Sequence, residues 1–184
     1  MYEPSYKKLL TYKYSVYVYD MNKEFLELFV RGAENMRQRQ QMDQAARSSK
    51  QCLVEGAMQG TSLKGYIKMI GVSRGSYEEL LEDYKDIARL RKIEIWNAEE
   101  LRRFGKERIF IKDSPKPLPS SPPLPPELGL AVNIMIDLIT RTNYLFDQQK
   151  KSLEQKFLTD GGFTENLYKK RIEFRKKQND LRTS

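Results

Sequence analysis

The stretch QMDQAARSSKQCLVEG, Gln41 to Gly56, followed by AMQGTSLKGYIKMIGVSRGSYEELLEDY, Ala57 to Tyr84, decides the fold. In its first half Met42, Ala46, Ser49, Leu53 and Gly56 recur at steps of four and three, which puts them on one face of a helix. That face is made mostly of small side chains, so the helix can approach a neighbour closely and the neighbour must supply the bulk. The second half supplies it: Ile67, Ile70, Tyr77, Leu81, Tyr84 and Ala88 form a larger apolar stripe at helical spacing. Gly60 ends the first of these helices, and Thr61 or Ser62 offers an N-cap hydroxyl to the second. Two long helices joined so briefly pack antiparallel.

Before this pair, residues 1–9 contain Pro4 and little periodicity and read as a loose arm. From Leu10 the positions Tyr14, Tyr17, Met21, Phe25 and Leu28 follow helical steps, although Tyr12 to Tyr19 also alternates as a strand would. The steps continue to Phe29, which selects helix. Six tyrosines fall in the first nineteen residues; their rings suit the edge of a core, with stacking on nucleotide bases as the functional alternative. Gly32 breaks the chain, and Arg37 opens the second helix, whose outward positions Gln40, Gln44, Arg47, Lys50 and Gln51 form a polar, net basic stripe. It reads either as a phosphate contact or as a solvated face in which Asp43 pairs with Arg47.

The third helix has Lys64, Lys68 and Arg74 ahead of Glu78, Glu79, Glu82, Asp83 and Asp86, an order that opposes the helix dipole. A contact with a neighbouring copy, closing into a ring, would account for it. Gly71 and Gly75 weaken helix propensity and suggest a close backbone approach. Trp96 to Glu107 reads as a short helix capped by Asn97. Then DSPKPLPSSPPLPPE, Asp113 to Glu127, holds seven of the eight prolines. No regular ladder runs through such a segment, and the twelve residues from Pro115 to Pro126 can reach about 37 Å as an extended tether.

Glu127 to Thr159 reads as a long helix whose first half, LGLAVNIMIDLI, is apolar nearly all round and must be covered on both sides. The C-terminal helix or a second subunit is the expected cover on one of them. Asn133, Asp137 and Asn143 read as capping and network residues, since no di-iron carboxylate pattern accompanies them. Gly161 and Gly162 stop this helix, and Phe163, Thr164 and Tyr168 match a hydrophobic staple around an N-cap. The last helix carries Lys169, Lys170, Arg171, Arg175, Lys176 and Lys177 with few apolar positions. Such a basic helix binds nucleic acid, anionic lipid or an acidic partner, or stands as a solvated terminus.

Composition narrows the chemistry. The 184 residues hold one cysteine and no histidine, so Ser-His and Cys-His pairs are excluded, as is the commonest zinc ligand. Cys52 lies in the small-faced helix and reads as a small core hydrophobe. No apolar run approaches the roughly 18 residues a membrane span needs, and a lone thiol suits a reducing compartment, so a cytoplasmic location is expected. The formal charge is +8, concentrated in residues 36–58, with four basic and two acidic groups, and 163–184, with seven and three. That footprint suits a polyanion. The candidate contacts are Arg37, Arg47, Lys50, Lys64 and Lys68 in one group and Lys169, Lys170, Arg171, Arg175, Lys176 and Lys177 in the other.

On the segments RSSKQCLVEG, Arg47 to Gly56, and YIKMIGVSRGSYEELLEDY, Tyr66 to Tyr84, the chain resembles a bacterial four-helix-bundle family. That family includes proteins encoded in intervening sequences of large-subunit ribosomal RNA genes and the accessory variability determinant of diversity-generating retroelements. PPELGLAVNIMIDLITRTNYLFDQQ and FLTDGGFTENLY, from Pro125 onward, look like the subgroup with a C-terminal suffix segment. The chain departs from the family pattern at Cys52 or Leu53, where asparagine is favoured. The resemblance implies an all-α, up-down four-helix bundle with an additional C-terminal helix, without catalysis or cofactors, that assembles as a pentamer. It implies RNA or DNA as partner and, in the retroelement relatives, a reverse transcriptase. The division expected is 1–9 arm, 10–110 three bundle helices and a short helix, 111–126 tether, and 127–184 fourth bundle helix and basic helix. The function expected is that of an oligomeric nucleic-acid-binding accessory protein; a protein-interaction scaffold is the alternative.

Overall fold

The three- and four-residue spacing of apolar side chains becomes six α-helices in the computed structural model, which describes residues 4–59, 62–103 and 120–183. They are α1 (Leu10–Phe29), α2 (Met36–Met58), α3 (Leu63–Arg91), α4 (Ala98–Arg103), α5 (Leu128–Asp160) and α6 (Phe163–Thr183). The described residues contain no strand, so the alternation of tyrosines in α1 does not build one. The chain is all-α. Single 3₁₀ turns at Ser5–Lys8 and Ala33–Asn35 precede α1 and α2.

Four long helices pack side by side, α1 on α2, α2 on α3, α3 on α5, and α5 back on α1. Register shows the direction of each pair. Asn22 bonds Met42 and Arg39 reaches Leu26, so α1 and α2 run antiparallel. Gly56 approaches Tyr66 while Ser76 donates to Ser48, so α2 and α3 do too. Arg74 meets Asp147 and Asn143 meets Glu78 across α3 and α5.

The two expected faces meet. Met42, Ala46, Ser49, Leu53 and Gly56 are buried, as are Ile70, Tyr77, Leu81, Tyr84 and Ala88, with Ile67 half-buried. Ser62, with its hydroxyl accepting from the Gly65 amide at 3.0 Å, is the N-cap of α3. Gly60 and Thr61 lie outside the described residues. In α1, Tyr14, Tyr17, Met21 and Phe25 are core while Leu28 is 39% exposed. Tyr12 and Tyr19 pack at the core edge, the role preferred for these rings over stacking on bases.

Close backbone approach occurs at Gly56. A Cβ there would sit 2.7 Å from Tyr66 Cδ2 and 2.8 Å from Met69 Cβ, whereas at Gly71 and Gly75 it would meet nothing within 4 Å. The close packing expected at Gly71 and Gly75 is therefore corrected: both face open space, and the small residue that matters belongs to α2. Alanine should act with opposite sign at the two sites. Gly56→Ala should cost about 1–3 kcal/mol through overpacking, and Gly75→Ala should add up to about 1 kcal/mol through helix propensity. Urea unfolding midpoints of the two variants check this; shifts in the same direction would refute the packing account.

Along α5 every residue from Ala131 to Ile139 is buried. The cover does not come from α6. Part of it comes from the extended segment after α3, where Ile93 and Trp96 pack against the core and Asn133 clasps the backbone. The Asn133 amide donates to Glu94 O at 3.0 Å, and its oxygen accepts from Trp96 N at 2.8 Å. Leu124 is buried in the same core, its amide donating to Glu24 at 3.1 Å and tying the end of the proline run to α1. Residues 120–127 form no regular element. The rest of the tether, and the short helix beyond Arg103, fall outside the described residues. Asn97 caps α4 as expected, accepting from the Glu99 and Glu100 amides while Glu100 accepts from Asn97 N.

Gly161, at φ +73°, ends α5 in a conformation that disfavours any side chain. The staple expected around Thr164 is corrected: α6 starts at Phe163 because the Glu165 carboxylate accepts the Gly162 amide at 3.1 Å and Asn166 N reaches Gly162 O. Thr164 therefore sits inside the first turn, and Phe163 and Tyr168 stay exposed.

Candidate nucleic-acid interface

The basic residues separate into four places. On α6, Lys169, Lys170, Arg171, Arg175, Lys176 and Lys177 are all exposed, and from Phe163 to Asn179 only Asn166 and Ile172 are even half-buried. The helix stands off the four-helix body except at its start, where Phe163 and Lys156 line a cavity of about 190 Å³ with Gly56 and Tyr66. At about 100° per residue, Lys169 and Lys176 share one stripe, Lys170 and Lys177 a second, and Arg171 and Arg175 a third. Cations thus surround α6 and do not form a single polar face.

The α2 group is less uniform than its spacing suggests. Arg47 is exposed, but Lys50 is half-buried, its Nζ 3.6 Å from the centre of the Tyr19 ring. Burial lowers the Lys50 amine from its ordinary range, Asp20 opposes that shift, and Arg47 and Lys23 reinforce it. Lys23 therefore joins Arg47 and Lys50 on the α1–α2 side. It is a member of the cluster that α2 periodicity could not reveal, because it comes from α1 four residues after Tyr19. Asp43 pairs with Lys23 at 3.0 Å, in place of the within-helix Arg47 partner expected for it. The reason is that α1 packs against that flank of α2.

Arg37 lies on another side, in an open groove of about 610 Å³ between α2 and α3, with Gln40, Gln41, Gln44, Ser48, Ser76, Glu79 and Asp83. Lys64 and Lys68 are exposed on α3, opposite its buried stripe. No single surface gathers Arg37, Arg47, Lys50, Lys64 and Lys68.

Acids on α3 are largely paired within the chain. Glu78 bonds Arg74 at 2.7 Å, Glu82 bonds Lys85 at 2.7 Å, and Asp86 bonds Arg89 at 2.8 Å, while Arg89 and Arg91 occupy the last turn where the dipole favours them. Local pairing therefore offsets the unfavourable order without a second copy. Glu79 and Asp83 remain facing the groove. The Asp83 carboxyl is raised from its ordinary value by burial and by neighbouring Asp86 and Glu79.

Cys52 is half-buried, and burial raises its thiol, which disfavours the thiolate. Asp137 pairs with Arg141 at 2.7 Å. No group of three or more acidic or cysteine side chains among the described residues is placed to hold a metal ion. No described helix is long and apolar enough to cross a membrane. Compared with protein-family models, curated proteins and solved structures, the chain matches none of them.

Proposed function

We propose that this chain is a non-catalytic nucleic-acid-binding accessory protein, an up-down bundle of the family it resembles, acting in the cytoplasm as a homo-oligomer. The observation that carries the reading is α6: a 21-residue helix standing off the body, with six exposed cations distributed around its axis. Phosphate neutralisation by such a helix supplies affinity largely independent of sequence, and that affinity falls steeply with salt. A gel-shift series on RNA and DNA at low and high salt should show complexes that weaken as salt rises. Absence of any complex at low salt would end the reading.

A protein-interaction scaffold is the second reading, and the α2–α3 groove favours it. Glu79 and Asp83 line that groove with no ion-pair partner among the described residues. Light scattering with and without oligonucleotide separates the two: a nucleic-acid-binding oligomer gains mass when oligonucleotide is added, whereas a scaffold keeps its mass.

A further inference from the structure

α6 carries rings as well as cations. Tyr168 is 65% exposed and Phe174 62%, values at which two large aromatic side chains touch little of their own chain. At about 3.6 residues per turn they stand about 120° apart around the axis and about 9 Å apart along it; Arg171 and Arg175 fall between them in angle, Arg171 midway along the axis and Arg175 just past Phe174. One face of α6 therefore alternates along its length as ring, guanidinium, ring, guanidinium.

We infer that this face binds single-stranded nucleic acid, with unpaired bases stacking on Tyr168 and Phe174 while Arg171 and Arg175 hold the adjoining phosphates. The inference rests on the nucleic-acid reading of α6 and names the class of strand. In a duplex the bases stack on one another and offer only their edges in the grooves, so a phenyl or phenol ring finds no open π-face. A single strand presents those faces, and stacking on aromatic side chains beside a basic track is sequence-tolerant because every base has one. Arginine suits the positions beside the rings, since its planar group can bond phosphate and also lie against a base. The stripes of Lys169 with Lys176 and Lys170 with Lys177 add attraction for the rest of the strand.

The test measures binding of the full chain to labelled single-stranded RNA and DNA homopolymers and to duplexes of equal length, by fluorescence anisotropy over a salt series. The native chain should bind the single strands more tightly. Combining Tyr168→Ala with Phe174→Ala should weaken single-strand binding about 30-fold or more and leave its salt dependence unchanged. Combining Arg171→Gln with Arg175→Gln should reduce the slope of log affinity against log salt by about 1.4. Far-UV circular dichroism confirms that α6 persists in each variant. Duplex binding as tight as single-strand binding would overturn the inference. So would a ring variant that binds normally but has a lower mass in light scattering, which would assign the rings to contact between copies. Absence of binding to every probe at low salt would remove the nucleic-acid reading itself.

Discussion

Changing Lys169, Lys170, Arg171, Arg175, Lys176 and Lys177 together to glutamine should remove nearly all salt-dependent binding of nucleic acid. If each cation neutralises one phosphate, six contacts make the native affinity for a single strand fall about 300-fold between roughly 50 and 200 mM salt, and the variant should show almost no such fall. The matched change at Arg37, Arg47, Lys50, Lys64 and Lys68 should do much less. Lys50 is already committed to the Tyr19 ring, Arg37 faces a groove lined by Glu79 and Asp83, and Arg47 is on a different helix from Lys64 and Lys68. Anisotropy titrations at several salt concentrations decide between the sets. A larger loss from the α2 and α3 set would move the interface from α6 to the body. Urea midpoints should be nearly equal in the native chain and the α6 variant, because α6 contributes little to the core.

Alkali should unfold the protein through two buried phenols. Tyr77 and Tyr84 have no solvent exposure. The Tyr77 hydroxyl donates to Ser15 O at 3.2 Å, and the Tyr84 hydroxyl to Asn22 Oδ1 at 2.9 Å. Burial raises both above the ordinary phenol value, assisted at Tyr84 by Asp83 and opposed at Tyr77 by its hydrogen bonds. In the unfolded chain these groups ionise near pH 10, while in the folded chain they stay protonated. The unfolded state thus binds fewer protons above about pH 10. Stability is fully present below that pH and declines as pH rises toward the folded values. Between its unfolded and folded values each group contributes a slope of about 1.4 kcal/mol per pH unit, so the two together steepen the alkaline loss of a stability that is itself only about 5–15 kcal/mol. Combining Tyr77→Phe with Tyr84→Phe should flatten this decline, at a baseline cost of about 1–3 kcal/mol for leaving the Asn22 oxygen without its donor. Urea midpoints between about pH 8 and pH 12 measure both effects; parallel profiles for native and variant chains would refute the assignment.

Much of the helical body was legible in the residues. The small face of α2 and the bulky face of α3 are one-dimensional facts, since a helix brings every third and fourth residue to one side whatever surrounds it. Ser62 and Asn97 were legible because capping is local. The misplaced features were those whose outcome depends on what lies opposite. Gly71 and Gly75 look like a contact in sequence, yet their neighbours are solvent, while Gly56 touches Tyr66 and Met69.

The candidate site divides in the same way. Its residue types and the placing of six cations on one helix were legible in the sequence; that α6 stands off the body and exposes all six was decided by the tertiary structure. Whether the cations of α2 and α3 converge was decided by tertiary structure. The packing of α1 turns Lys50 onto Tyr19 and gives Asp43 to Lys23, and the α2–α3 pairing places Arg37 among carboxylates. The cover of α5 was likewise a tertiary outcome, supplied in part by a segment that has no periodicity to read. Spacing along a chain specifies a face; only the packed neighbours specify what that face meets.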